Sequence, residues 1–245
     1  RCAGGTSRRR MRLFVAITPP RAVLLEVRTA VDALKRGNTP GVNAMLRWTR
    51  PETWHITVAF YGEVAEDKAE DLAERLGRVA ARTTPMELSL AGAGRFGPRA
   101  LWFGVQGQCD RLGRLAEAAG AAARRCHIRI EDRPYRPHLT LARVSGVPRG
   151  AGPDDHAGPL DLGPLVERLR PFRSPGWLAG DVELFTVLDA GETAHVGSMG
   201  SSAGGAMAEG SGLHAVHGLS GLHGGNGGPA GKRYERVAHW PLTGR

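Results

Sequence analysis

Pro134 to Arg143 (PYRPHLTLAR) decides the fold, because Pro51 to Phe60 (PETWHITVAF) is built on the same pattern. Both stretches contain the unit His-x-Thr, first as His55-Ile56-Thr57 and then as His138-Leu139-Thr140. An offset of 83 positions (138 minus 55) superimposes the two copies. The same offset aligns Arg50 with Arg133, Pro51 with Pro134, Ala59 with Ala142, and Val64 with Val147. The chain therefore contains an internal repeat.

Each copy predicts a β-strand, because apolar residues alternate along it and a proline precedes it. Residues i and i+2 of a strand share a face. His55 and Thr57 are therefore expected on one face and Ile56 on the other, and the second copy repeats the arrangement. A single His-x-Thr is typical of an ordinary half-buried strand, whereas two copies at one offset favour a functional site.

Two imidazoles that face each other across a cleft can act as general base and general acid, because an ordinary histidine pKa of ~6.5 allows proton transfer near neutrality. Threonine hydroxyls beside them can donate hydrogen bonds to the oxygens of a bound anion. In-line displacement at phosphorus needs a base on one side and an acid on the other. The paired motif therefore indicates phosphoryl chemistry.

At these residues the sequence resembles the two-histidine (2H) phosphoesterase superfamily, and within it the RNA 2′,3′-cyclic phosphodiesterase family, also called 2′-5′ RNA ligase-like. The resemblance begins at Met11, runs to about Leu188 and resumes at Lys232. Besides the two motifs it rests on the opening Met11 to Ile17, Arg47-Trp48, Gly94 to Gly97, Leu101-Trp102 and Arg143.

The resemblance implies an α+β, bilobal fold with two antiparallel sheets related by a pseudo-two-fold repeat. Helices would lie on the outer faces, and the active cleft between the lobes. It further implies hydrolysis of RNA or oligonucleotide 2′,3′-cyclic phosphate ends to 2′-phosphate, without a metal or another cofactor. His138 would be the proton acceptor and His55 the proton donor. Thr57, Thr140 and an inward-turned Arg143 would bind the phosphate.

Composition is compatible with this interpretation. The chain has 245 residues, enough for one compact domain or two small lobes, and its net charge of +9 suits an anionic partner. Cys2, Cys109 and Cys126 form no CxxC pair, so we expect reduced thiols, a cytoplasmic location and no metal site. No apolar run near the start is long enough for a membrane span. We expect a monomer.

Residues 1–10 are basic and without periodicity, which predicts a disordered extension before a domain made of residues 11–188 and 232–245. Residues 189–231 hold 14 of the 35 glycines, which predicts a flexible insertion with no core of its own. Its histidines, at positions 195, 214, 217 and 223, are a weak sign of metal binding.

The remaining elements follow from local patterns. Strands are expected at residues 13–17, 86–90, 101–105, 127–130, 181–188 and 234–242, with the last two paired. Helices are expected after an N-cap at Thr18 and at residues 63–82, 110–125 and 160–169. Residues 38–43 and 146–158 are expected to be loops. Gly92 to Gly97 matches G-x-G-x-x-G, but no helix follows, so we expect a loop between strands.

Three alternatives remain open on the sequence alone. The same site could join 2′-5′ RNA ends, which is the reverse reaction. A non-catalytic module could use the histidines only to bind RNA ends. A mononuclear metal site could use both histidines, although no carboxylate or cysteine accompanies them at ligand spacing.

Overall fold

The computed structural model describes residues 9–131, 133–145, 160–188 and 233–245. These ranges contain nine strands, five α-helices and one 3-10 helix, Pro51–Thr53. The strands are β1 (Arg10–Ile17), β2 (Leu46–Trp48), β3 (Ile56–Ala65), β4 (Met86–Phe96), β5 (Ala100–Gly107), β6 (His138–Val144), β7 (Trp177–Ala179), β8 (Asp181–Leu188) and β9 (Arg233–Pro241). The helices are α1 (Arg21–Arg36), α2 (Pro40–Ala44), α3 (Glu66–Ala81), α4 (Cys109–Arg125) and α5 (Gly163–Leu169).

The strands form two lobes of one curled antiparallel sheet. The order is β7-β4-β5-β6-β3-β1-β8-β9, with β2 beside β6. Lobe 1 contains β3, β1, β8 and β9, and lobe 2 contains β6, β5, β4 and β7. Between β3 and β6 the register consists of Ile56 opposite Leu139. The predicted bilobal α+β fold is confirmed. The two expected sheets are the two halves of one sheet, joined at the Ile56–Leu139 pair.

The internal repeat explains the strand order. One unit runs β1-α1-β3-α3-β4 and the other β5-α4-β6-α5-β8. β4 leaves its own unit to pair with β5, and β8 pairs with β1. Each lobe therefore contains a strand supplied by the other repeat.

The helices cover the sheet face that turns away from the cleft. Val23, Val27, Val31 and Leu34 of α1 are buried at helical spacing. They join a core that includes Leu13, Val15 and Ile17 of β1. Phe14 and Ala16, which alternate with those residues, therefore point to the opposite face. No helix in the described ranges is both long and apolar enough to cross a bilayer.

Three local predictions are wrong. Thr18 does not cap α1: Pro20 holds the N-cap position, and the Thr18 hydroxyl instead donates to Glu183. The loop expected at residues 38–43 contains most of α2, with Pro40 at its first position and the Thr39 hydroxyl accepting from the Val42 N–H. The strand expected at residues 127–130 is absent, because His127 (φ 55°) ends α4 in a left-handed turn.

The structure of Gly92 to Gly97 also differs from the expected loop. β4 continues to Phe96, because Gly92 (φ 65°) absorbs an irregularity in the register and the strand resumes pairing with β5 at Ala93. The turn itself begins at Gly97 (φ 52°). Strands β2 and β7, three residues each, were not predicted because such short segments show no periodicity.

The predicted β8–β9 hairpin is confirmed, with Leu188 opposite Arg233. β1 begins at Arg10, one residue before the expected start of the domain. The predictions for residues 1–8, 146–158 and 189–231 lie outside the described residues.

Candidate active site between the lobes

The two motif histidines are anchored in the same way. The Nδ1–H of His55 donates to the carbonyl of Thr53 at 2.7 Å, and that of His138 donates to the carbonyl of Arg136 at 2.7 Å. Because a backbone carbonyl only accepts, Nδ1 carries the proton in both rings. Nε2 is therefore the atom that each histidine can offer to a ligand.

Both motifs meet at the joint between the lobes. Ile56 and Leu139, the middle residues of the two His-x-Thr units, are fully buried opposite each other. Because side chains alternate along a strand, the flanking histidines and threonines point to the other face. The Nε2 of His55 lies 3.1 Å from the Thr57 hydroxyl. The structure thus brings the four predicted motif residues together around the joint.

A bulge in β6 turns Arg143 into the cleft. Trp102 lies opposite Thr140, but its neighbour Leu101 lies opposite Ala142, so Leu141 is an extra residue on β6. Leu141 and Ala142 are both in the core. Arg143 consequently returns to the face of His138 and Thr140. After desolvation by burial, which is the main cause, its charge contributes to lowering the pKa of both motif histidines. The phosphate-binding role that the resemblance implies for Arg143 is compatible with this register and stays a prediction.

Aromatic rings enclose His55. Phe14 stacks on the imidazole at 4.8 Å between centroids, Tyr234 meets it edge-on at 5.5 Å, and Phe185 lies at 6.3 Å. Desolvation by these surroundings lowers the pKa of His55 to about 4, against the opposing effect of the Thr53 carbonyl. His55 is therefore neutral near pH 7 unless an anion enters the cleft.

His138 has a different aromatic wall. Phe96 meets its ring edge-on at 4.7 Å and Trp102 lies at 6.1 Å. Desolvation is the main cause that lowers the pKa of His138, and the charges of Arg143 and Arg136 add to it. Gly94 makes room for this wall, because a Cβ there would lie 2.2 Å from the Trp102 indole.

Hydroxyl groups clamp each motif threonine to the segment that precedes the other motif. The Tyr135 hydroxyl donates to the carbonyl of Thr57 at 3.1 Å. The Thr49 hydroxyl is shared between the carbonyls of Leu141, at 2.8 Å, and Thr140, at 2.9 Å, and accepts from the Trp54 indole N–H at 2.8 Å. We call these two contacts the cross-lobe clamps. They hold the motif strands in register where direct pairing is minimal.

Sequence reasoning gave no role to several residues of the site. Phe14, Phe96 and Trp102 were noted only within the stretches that carry the resemblance. Glu183, Phe185 and Tyr234 were expected only as members of strands and were given no place in the site. No sequence signal brings β8 and β9 to β1, since that pairing depends on the exchange of strands between repeats.

Within the described ranges, no three His, Cys, Asp or Glu side chains are grouped closely enough to hold a metal ion. The side chains present at the joint can supply proton transfer by two imidazoles and hydrogen bonding by hydroxyls and guanidinium groups.

The chain is similar to one protein family and to several of its named members. The model of the LigT-like phosphoesterase family matches residues 20–102 and 104–174. An RNA 2′,3′-cyclic phosphodiesterase of Geobacillus stearothermophilus is 38% identical over 100 residues, which are 39% of this chain and 32% of that relative. One of Archaeoglobus fulgidus is 34% identical over 138 residues, 55% of this chain and 73% of that relative. The match thus spans about a third of the first relative.

Solved structures agree in fold. The protein TT0787 of Thermus thermophilus superimposes with a TM-score of 0.62 at 20% identity, covering 95% of this chain and 98% of that one. Escherichia coli LigT complexed with 3′-AMP gives a TM-score of 0.61 at 20% identity, covering 96% and 99%. At this identity the likeness shows the fold alone.

Proposed function

Because this chain belongs to the LigT-like phosphoesterase family, we propose that it hydrolyses RNA or oligonucleotide 2′,3′-cyclic phosphate ends to 2′-phosphates. The relatives named RNA 2′,3′-cyclic phosphodiesterase support this substrate class. The chemistry restricts the substrate further, because a 2′,3′-cyclic phosphate requires a 2′-hydroxyl and so occurs at RNA ends.

The observation that carries the proposal is the matched anchoring of the two histidines. Each Nδ1–H is bound to the carbonyl two residues before it, at the same 2.7 Å. Two identical Nε2 atoms on two repeat-related strands suit attack and departure on opposite sides of one phosphorus atom. A single histidine, or two with different tautomers, could not supply both proton transfers in this symmetric manner.

In the proposed reaction, His138 Nε2 takes a proton from water as the water oxygen attacks phosphorus. The P–O3′ bond breaks, and the 3′ oxygen takes a proton from His55 Nε2. The hydroxyls of Thr57 and Thr140 donate to the non-bridging oxygens, whose charge Arg143 also balances. The product is a 2′-phosphate with a free 3′-hydroxyl.

Anion binding and protonation of His55 are coupled in this scheme. The free enzyme holds the pKa of His55 at about 4. A phosphodiester anion in the cleft raises that pKa, since an opposite charge nearby favours the charged imidazole. Substrate binding thus favours the protonated form of His55, which then acts as the general acid.

The test is turnover of a dinucleotide 2′,3′-cyclic phosphate in excess EDTA, with the products resolved by chromatography. We expect 2′-phosphate and undiminished activity in the chelator. Activity lost in EDTA and restored by zinc or manganese would contradict acid–base catalysis by the histidines alone. Binding without turnover would instead support an RNA-end-binding module, and joining of 2′-5′ ends in the same assay would support ligation.

We place the enzyme in the cytoplasm as a monomer acting on RNA ends. Free thiols at Cys109 and Cys126 support a reducing compartment. Size-exclusion chromatography with light scattering tests the oligomeric state.

A further inference from the structure

The two lobes differ in charge at one position related by the repeat. In lobe 1, Thr57 lies opposite Ala16, and Ala16 lies opposite Glu183 on β8. In lobe 2, the corresponding row runs from Thr140 to Trp102 and Gly94. Residues opposite each other on neighbouring strands share a face, so Glu183 stands on the cleft face. A carboxylate on the His55 side thus corresponds to a glycine on the His138 side.

Glu183 is held firmly in this row. Its side chain is 13% exposed, and it accepts hydrogen bonds from the Thr18 hydroxyl and from the Arg236 guanidinium, the latter at 2.7 Å. Along the row only the methyl group of Ala16 stands between Glu183 and Thr57. Two strand spacings, together about 10 Å, separate the two backbones. Arg236 and Thr18 satisfy this largely buried carboxylate, which nevertheless places a negative group on the face of a cleft for an anion.

His55 is the group that the carboxylate can affect. The charged or titratable groups around its ring are His138 and Arg143 on β6, Glu183 on β8 with its ion-pair partner Arg236 on β9, and Tyr234 on β9. Desolvation is the largest cause that lowers the pKa of His55, and His138 and Arg143 lower it further. Glu183 acts in the opposite direction.

We propose that Glu183 is a positioning residue that favours the imidazolium form of His55, so that this ring carries the proton taken by the departing 3′ oxygen. The catalytic part rests on the proposed function, whereas the electrostatic part does not. The carboxylate neither bonds to phosphorus nor exchanges a proton in the step. It also distinguishes the two histidines, which the repeat alone makes equivalent.

The first test is an NMR titration of His55 in the free enzyme and in Glu183→Gln, with the resonance assigned by a His55→Gln variant. The amide keeps the shape of the side chain but removes its charge. We expect the proton affinity of His55 to fall roughly three- to tenfold, the order expected when one charge that acts across about two strand spacings is lost at an intermediate dielectric. Glu183→Asp, which keeps the charge, should retain most of the proton affinity. Glu63→Gln, whose side chain is 55% exposed beside Arg12, is the matched control and should change nothing.

The second test compares two substrates. In Glu183→Gln the basic limb of the kcat/KM profile for a cyclic phosphate dinucleotide should move to lower pH. The rate on a nitrophenyl phosphodiester, whose leaving group needs no proton, should not change. An unchanged His55 titration in Glu183→Gln, or an equal loss of rate on both substrates, would overturn the proposal. If cyclic phosphates are not hydrolysed at all, the proposed function fails, yet the titration still decides the role of Glu183.

Discussion

Ile56 lies directly opposite Leu139, and each is the middle residue of a His-x-Thr unit. The positions differ by the same offset as the motifs, so the local two-fold axis of the repeat passes through this pair. The histidines and threonines flank the axis on the cleft face. A substrate phosphorus on the axis would face two equivalent imidazoles, which is the geometry that acid–base catalysis by two histidines needs.

The first prediction concerns the two histidines. Replacing His55 or His138 by Ala should lower kcat on a 2′,3′-cyclic phosphate by on the order of 10² to 10⁴, the usual contribution of one general acid or base. His127→Asn is a suitable control, because His127 is exposed and Asn tolerates its left-handed backbone. Full activity of His55→Ala, or a product that is mainly 3′-phosphate, would show that the roles are assigned wrongly.

The cross-lobe clamps should matter for rate as well as for stability. Tyr135→Phe removes the hydroxyl that donates to the carbonyl of Thr57, and Thr49→Val removes the hydroxyl shared by the carbonyls of Thr140 and Leu141. Each loss should destabilise the fold by about 1 to 3 kcal/mol. It should also lower kcat by about threefold to 100-fold, since small displacements of catalytic groups are costly. Thr49→Ser keeps the hydroxyl and should behave as wild type in thermal melts and kinetics. Wild-type kinetics in both clamp variants would contradict this role.

Much of the fold could be predicted from residues with a clear pattern. The repeat identified β3 and β6, helical spacing of apolar residues identified α1 and α4, and acidic residues early with arginines late identified α3. The loop predicted at Gly92 to Gly97 was wrong because the G-x-G-x-x-G pattern indicated a break in the strand. Gly92 instead lies at a register irregularity inside the continuous strand β4. The N-cap prediction for Thr18 was wrong because its hydroxyl donates to Glu183, which is distant in sequence and is not considered by capping rules based on neighbouring residues.

The candidate site could be predicted only as far as the motifs reach. His55, Thr57, His138 and Thr140 follow from the repeat, because equal spacing places them on equivalent strands. Their surroundings, such as Phe14 and Tyr234, depend on long-range pairing between strands that no local pattern encodes. The orientation of Arg143 depends on a bulge that a strict alternation of faces would miss.

Gly94 should tolerate no side chain. A methyl group there would lie 2.2 to 2.7 Å from three atoms of the Trp102 indole, so Gly94→Ala must displace the ring that flanks His138. We expect a lower melting temperature, a changed tryptophan fluorescence spectrum and reduced kcat. Gly113→Ala is the matched control: a Cβ there meets nothing within 4 Å in the interior of α4. It should stabilise the protein by roughly 0.5 to 1 kcal/mol.

Stability should fall as pH falls from 6.5 towards 4. The folded protein lowers the pKa of His55 from 6.5 to about 4, and that of His138 is lowered too. Between these values the unfolded chain binds more protons than the folded one, so protonation favours unfolding. The contribution of His55 is complete above pH 6.5 and amounts to at most about 3 kcal/mol. Urea denaturation at several pH values should show a shallower dependence in His55→Gln than in wild type, and parallel curves would contradict the assignment.

Residues 189–231 should be dispensable for catalysis. The pairing of Leu188 with Arg233 brings the ends of this stretch together across the β8–β9 hairpin, so a short turn can connect Leu188 to Lys232. The glycine content also makes ordering of the stretch entropically costly. The shortened protein should melt within a few degrees of wild type and keep its kcat. A collapse of either quantity would mean that the stretch contributes to the fold or the site.

The exchange of strands between repeats has a consequence for synthesis on the ribosome. β1 pairs with β8, so Leu13 meets Thr186 only after some 170 further residues have been made. At 5 to 20 residues per second this takes roughly 9 to 35 s. Until then the apolar stretch Leu13 to Ile17 has one open edge, which is the kind of surface that holdase chaperones bind and that pairs with other nascent chains. The protein therefore completes its cleft late, when both repeats have left the exit tunnel.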